Sequence, residues 1–437
     1  MSGQYEPLQT SERPQYRLYK RRFFGLIQLV LLNIVVSWSW LTFSAVSTTS
    51  SEFFKVSESA INWLSTGFLF AFVIASPATL YALNKYSPKV SILIASGLVL
   101  VGNWLRYAGT RASTNGNFPL VIVGQIVIGL SQPFVLASPT RYSDAWFSST
   151  GRVTATAVAS LANPLGGALG QLIGPLWATS PTSVPSLVLY ISIISTVAAL
   201  PSFFLPSLPP TPPSPSTSSR PTLSLQHSLH LLVTNPQFHL LSIPFAIYVA
   251  FFNASSSLIN QFLAPYAFTE DEAGIAGALL IGVGLVASAI VSPVIDRTKA
   301  HLVTIKILVP LIAIGYLILI FAPGTRSLAA VYVVMALLGG ASFSLLPCAL
   351  EYMVDITWPV SPEVSSVTSW AAGQLLGGVF IVIMDALRGG WSGEPRESMK
   401  RALVFQAVVA WVALPLPLLL GLGKRRTIGR DEMQDES

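Results

Sequence analysis

Runs of some twenty apolar residues alternate along this chain with short polar or basic punctuation, and the runs fall into two sets. A helix needs about twenty such residues to cross the hydrocarbon core of a bilayer. On that rule the first set covers residues 23–47, 60–83, 89–110, 118–138, 153–176 and 186–205. The second covers 238–264, 273–295, 302–322, 327–352, 363–387 and 401–422. Between them lies Pro206–Arg220, PSLPPTPPSPSTSSR. Proline removes a backbone donor and blocks helix, and the serines add polarity, so this stretch neither spans a membrane nor packs as a core. The pattern predicts an all-α membrane protein with twelve transmembrane helices in two six-helix bundles. Its parts are a tail at 1–22, a bundle at 23–205, a Pro/Ser-rich linker at 206–237, a second bundle at 238–422 and a tail at 423–437.

The two halves read as repeats. The turn after the second span, Asn84-Lys85-Tyr86-Ser87-Pro88-Lys89, is matched after the eighth by Asp296-Arg297-Thr298-Lys299. In the fifth span Asn163 stands three residues before Gly166-Gly167, and in the eleventh Gln374 stands three before Gly377-Gly378. Parallel repeats of this kind place a substrate site near the midplane, where the halves meet. Gly166, Gly170 and Gly174, like Gly373 and Gly377, are four apart, which lets a helix neighbour approach closely.

Composition agrees with a lipid-solvated chain. Hydrophobic residues make up 52% and charged residues 10%, against about 25% charged in a soluble domain. The net charge of +6 resides in short basic clusters between apolar runs, which gives no footprint for nucleic acid. With both termini and the linker on the cytosolic side, the basic residues flanking the spans favour that side about two to one, with Arg106 counted among the outer ones, as the positive-inside rule requires. The first span has a heavily basic inner flank that ends in Lys20-Arg21-Arg22. The single cysteine, Cys348, excludes an intramolecular disulfide, a Cys-rich metal site and a CxxC redox pair. No His/Asp or Ser/His/Asp set falls at one membrane depth, so no catalytic, metal or cofactor site is expected. The expected partners are a small molecule and the lipid bilayer, for a monomer in the plasma membrane or, alternatively, the vacuolar or lysosomal membrane.

Charge inside a membrane is costly and marks function, yet no ionisable residue falls at the centre of a predicted span. The interior instead carries aromatics and amides. Trp38 and Trp40 lie mid-depth in the first span, Gln132 in the fourth and Asn163 in the fifth. Phe252, Asn253 and Gln261 lie in the seventh, and Trp370 and Gln374 in the eleventh. An indole face attracts a cation, and an amide orients a hydroxyl or carbonyl without adding charge. Trp40, Gln374, Asn163, Phe252, Asn253, Gln261, Trp370 and Gln132 are therefore the candidate substrate residues. Trp40 and Gln374 lead because they come from opposite halves. Asp296, Arg297, Glu351 and Asp355 sit at the inner ends of the eighth and tenth spans and form a candidate conformational latch. These features suit facilitative passage of a small organic solute. A non-transporting receptor or sensor with the same spans is the reading of another class.

Several segments together resemble one family. They are Ser39-Trp40-Leu41-Thr42-Phe43-Ser44, Asn62-Trp63-Leu64-Ser65 and Gly102-Asn103-Trp104-Leu105-Arg106, followed by Leu258-Ile259-Asn260-Gln261 and Glu351-Tyr352-Met353-Val354-Asp355-Ile356-Thr357-Trp358-Pro359. In this order they are similar to the feline leukaemia virus subgroup C receptor family of the major facilitator superfamily. The resemblance implies a two-bundle major-facilitator fold and alternating access, with choline or ethanolamine, haem, or in a more distant branch pyridoxine as substrate. It also implies that a first-span tryptophan and a seventh-span tyrosine flank a quaternary ammonium, with glutamines of the fifth and eleventh spans nearby. Trp40 and Gln374 match that pattern. Pro164 stands at the fifth-span glutamine position, with Asn163 beside it, and the seventh-span tyrosine positions read Phe245 and Asn253.

Overall fold

The computed structural model describes residues 17–211, 223–389 and 394–421. Its regular elements among those residues are all helical. In the first half they are α1 (Arg22–Leu41), α2 (Ser47–Phe54), α3 (Glu58–Lys85), α4 (Pro88–Arg111), α5 (Phe118–Leu136), α6 (Ser138–Trp146), α7 (Ser149–Trp177) and α8 (Val184–Ala199). The short α9 (Leu225–Thr234) lies within the segment read as linker. The second half has α10 (Pro236–Leu263), α11 (Glu270–Thr298), α12 (His301–Leu319), α13 (Leu328–Ile356), α14 (Pro362–Ala386), α15 (Lys400–Ala413) and α16 (Pro415–Leu418).

Among the described residues, eleven helices are long and apolar enough to cross a bilayer. The predicted fifth span is not among those eleven. It corresponds to α7, a 29-residue helix whose Gly, Ala, Ser and Thr content lowers its hydropathy. It packs along α1 and α11, so protein covers two of its sides and it needs less apolar surface than a lipid-facing helix.

Side-chain caps begin several of these helices. Ser57, Asn117 and Ser327 each accept a backbone N–H at the start of α3, α5 and α13, and Thr269 with Glu272 closes a capping box on α11. Such caps satisfy donors that the first turn leaves unpaired.

Within the halves the most extensive packing is α4 on α5, α1 on α7, α10 on α14 and α11 on α13. Between the halves it is α7 on α11 and α3 on α14. Two glycines make these approaches possible. A methyl group on Gly166 would overlap the Ile34 carbonyl oxygen of α1, and one on Gly339 would overlap the Leu280 carbonyl oxygen of α11.

The first span is interrupted. Read as one run at 23–47, it stops as a helix at Leu41, turns through 42–46 and resumes as α2. Backbone groups freed by such a break are tolerated at membrane depth only where protein or water satisfies them. Here the side chains of Arg106 and Gln125 do so.

Candidate functional site

The break brings chemistry to α1. Arg106 of α4 donates through Nη1 to the Ser39 carbonyl at 2.8 Å and to Gln125 Oε1 at 2.9 Å. Gln125 of α5 donates through Nε2 to the carbonyls of Ser39 and Trp40 at 3.3 and 3.2 Å. Trp40 is thus held by its backbone. Its ring, 5% exposed, stacks on Phe68 of α3 with centroids 6.2 Å apart and planes at 21°. Its indole N–H has no hydrogen-bond partner among the described residues. Trp38, two residues earlier, stacks instead on Trp177 in a separate apolar cluster.

From Phe68 the contacts pass to the other half. Leu69, the next residue, lies against Gly377 of α14. One turn before Gly377, the Gln374 Oε1 accepts a hydrogen bond from Asn253 Nδ2 of α10 at 2.8 Å. The Trp40–Phe68 stack and the Asn253–Gln374 pair thus lie in opposite halves, and the contact of Leu69 with Gly377 is where α3 and α14 meet beside them. Trp370 stands edge-on to Phe245, with centroids 5.7 Å apart. Phe252 stands edge-on to Phe343 at 5.3 Å, in a cluster with Ala168 of α7 and Ile281 of α11. Gln132 Oε1 and Asn163 Nδ2 are buried without a hydrogen-bond partner among the described residues.

Gln261 belongs elsewhere. Two residues from the end of α10, it exchanges hydrogen bonds with Asn62 of α3 at 2.7 and 3.1 Å. Its Oε1 also accepts from Arg388, so its amide is committed to a closure at the end opposite the chain termini. That closure is the site feature sequence reading missed. Arg388 Nη1 meets Glu58 at 2.7 Å, Nη2 meets Asp385 at 3.3 Å, and Glu397 lies 3.7 Å away. Burial alone would lower the Arg388 pKa, but Glu58, Asp385 and Glu397 together hold it above the ordinary arginine value. Alongside, Glu270 of α11 accepts from the backbone N–H of Thr48 and Thr49 at 2.9 and 3.1 Å, where its charge meets the N-terminus of α2. Asn260 donates to Ser47 at 2.9 Å. Deeper, Gln171 of α7 donates to the Ser256 carbonyl at 2.6 Å.

Because Glu58 and Arg388 come from different halves, Arg388→Ala is expected to loosen this end. In purified protein lacking Cys348, a cysteine at Thr66, buried just below the network, should react several-fold faster with a polar thiol reagent when Arg388 is alanine. An unchanged rate would show that the ion pair does not hold the closure.

At the other end, Glu351 Oε2 lies 3.3 Å from His301 Nε2 of α12. Arg297 and Asp355 are exposed. Asp296 falls in the last turn of α11 and its side chain lies outside the described residues. Arg106, counted by sequence among the basic residues outside the membrane, is instead 0% exposed inside the first bundle. Its signal was present in the chain: Gly102 one turn earlier, with polar Ser39 and Gln125 in facing apolar runs.

Eleven long apolar helices among the described residues, packed in two halves with α7 on α11 and α3 on α14 between them, have the build of a membrane carrier. The family model described as Major Facilitator Superfamily matches residues 29–383. The choline/ethanolamine transporter FLVCR1 of Mus musculus is 30% identical over 392 residues, which cover 83% of this chain and 69% of that protein. Solute carrier family 49 member A3 of Danio rerio is 29% identical over 383 residues, covering 85% and 80%. Among solved structures, the partially occluded inward-open xylose transporter XylE from E. coli aligns with a TM-score of 0.71 at 14% identity, covering 93% of this chain and 100% of that one. A bacterial homologue of the human lysosomal transporter Spinster aligns at 0.69 and 16%, covering 92% and 97%. The chain belongs to the major facilitator superfamily and, within it, to the feline leukaemia virus subgroup C receptor-related family. It is a multi-pass membrane transporter.

Proposed function

We propose that this transporter carries a small organic ammonium compound of the choline and ethanolamine class, cationic or zwitterionic, by facilitative alternating access. The observation that carries the reading is Trp40, buried beside the break that ends α1 and stacked on Phe68 of α3, a helix whose Leu69 lies against Gly377, one turn from the Gln374–Asn253 pair of the other half. An aromatic face attracts an ammonium group without a carboxylate, by up to about 2 kcal/mol when desolvated. The amides suit a hydroxyl or a second polar group on the solute. The names of the FLVCR1 relatives support the same class. The polar ties between the halves gather at the end opposite the termini, the outer end if both termini are cytosolic. That arrangement suits a state closed outside in a plasma-membrane carrier, with Glu351, Asp355, Asp296 and Arg297 acting at the inner end in the opposite state.

The haem reading gains no support from the histidines. His301 faces Glu351, His239 bonds the Val233 carbonyl, and His227 and His230 are exposed on α9. The test is thermal unfolding of the purified chain with choline, ethanolamine, pyridoxine or haem. A ligand that binds only the folded state raises the unfolding temperature by mass action. Stabilisation by choline or ethanolamine at millimolar concentration is expected. Stabilisation by haem or pyridoxine alone would overturn the assignment.

A further inference from the structure

Arg106 carries a charge that nothing around it neutralises. It heads the largest fully buried side chains. Its partners are the Ser39 carbonyl, Gln125 Oε1, Thr42 Oγ1 at 3.1 Å and the face of Phe43, 5.0 Å from the ring centroid. Every one of them is neutral. No ion pair joins a carboxylate to it among the described residues. Glu58 and Glu270 bond Thr48 and Thr49, beyond the 42–46 turn, and neither is bonded to Arg106. An unpaired buried charge is expensive, so a neutral donor would serve better if packing were all that mattered.

Two properties of the guanidinium answer to this position. Its planar fork reaches three acceptors at once, which a lysine ammonium on its flexible stem does not reproduce. Through Ser39 directly and Trp40 by way of Gln125, the fork fixes the backbone that presents the indole. Its positive field, little screened inside the bundle, also acts on whatever sits at that indole. A net cation there is repelled, whereas a solute with the same ammonium head and an anionic tail is not.

We infer that Arg106 is a specificity-determining positioning residue: it clamps the break beside Trp40, and its unneutralised charge makes the site favour a zwitterionic ammonium compound over a net cation. The inference rests on the reading of Trp40 as the ammonium site. Choline and betaine, which share a trimethylammonium head and differ in net charge, are the probes. Their dissociation constants are measured on the full chain in nanodiscs of zwitterionic lipid.

Wild type should bind betaine about ten-fold more tightly than choline. Arg106→Gln should bring the ratio close to one. Arg106→Lys should weaken both probes several-fold but keep the preference, because the charge stays and the fork is lost. Gln125→Glu, which supplies a counter-charge with Arg106 in place, should also move the ratio toward choline and serves if Arg106→Gln does not fold. A ratio unmoved by Arg106→Gln and Gln125→Glu, while Trp40→Ala weakens both probes, would overturn this inference alone. If Trp40→Ala leaves both affinities unchanged, or wild type binds neither probe, the ammonium site itself is wrong.

Discussion

Alanine at Gly339 is expected to cost most of the folded protein, whereas alanine at Gly282 is expected to cost nothing. Both glycines lie in long apolar helices that pack on each other, α13 and α11. At Gly339 the added methyl would overlap the backbone carbonyl oxygen of Leu280, but at Gly282 nothing lies within 4 Å. A side chain in the way could rotate. A backbone oxygen held in a helix cannot, so α11 and α13 must separate along their most extensive contact. Overpacking typically costs about 1–3 kcal/mol, and close helix approach through small residues is what holds membrane helices together. Gly166→Ala should behave like Gly339→Ala, because its methyl would overlap the Ile34 carbonyl oxygen on α1. Thermal unfolding in one detergent checks all three. A drop of several degrees, or loss of monodisperse protein, is expected for Gly166→Ala and Gly339→Ala, with Gly282→Ala unchanged. Equal stability across the set would mean these helices are not in backbone contact.

The second large effect is at Trp40. Removing the indole should cost roughly 1–2 kcal/mol of binding, or about five- to thirty-fold in affinity, for a solute with an ammonium head. Trp40→Phe keeps an aromatic face over Phe68 and should retain part of that affinity, while Trp40→Ala should retain very little. Expression should stay comparable, since the Trp40 backbone is held by Gln125 independently of the ring. Gln374→Ala frees Asn253 from its partner and should weaken solutes that carry a hydroxyl more than those without one. Affinity measured for choline and tetramethylammonium in the three variants separates these roles. Normal affinity in Trp40→Ala would move the search to neutral solutes.

Hydropathy made the spans and the division into bundles readable, because a bilayer demands about twenty apolar residues per crossing. The Gly-Gly pairs were readable too, since close helix contact needs small residues. The break at 42–46 was not. Phe43, Ala45 and Val46 continue the apolar run, and the bonds that make the break tolerable come from Arg106 and Gln125, which are distant in sequence. Arg106 was misplaced for a related reason. Five residues from the end of α4, it could as well have reached the interface as turned inward, and only its packing against α1 and α5 decides. Gln261 was assigned to the solute site from its span alone, yet its position near the end of α10 puts it with Asn62 and Arg388. The closure that these residues build adds Glu58 of the other half to the local pair of Asp385 and Arg388, a meeting no local pattern encodes.

Exchange transport in proteoliposomes tests the central claim most directly. Vesicles holding the purified chain, preloaded with unlabelled choline, betaine or ethanolamine, are given a trace of the same compound labelled outside. The account predicts a transient, saturable accumulation of label that needs the internal solute, falls at least five-fold in Trp40→Ala and persists in part in Trp40→Phe. Label that equilibrates no faster than in protein-free vesicles for all three compounds, or accumulates equally with Trp40→Ala, would contradict it.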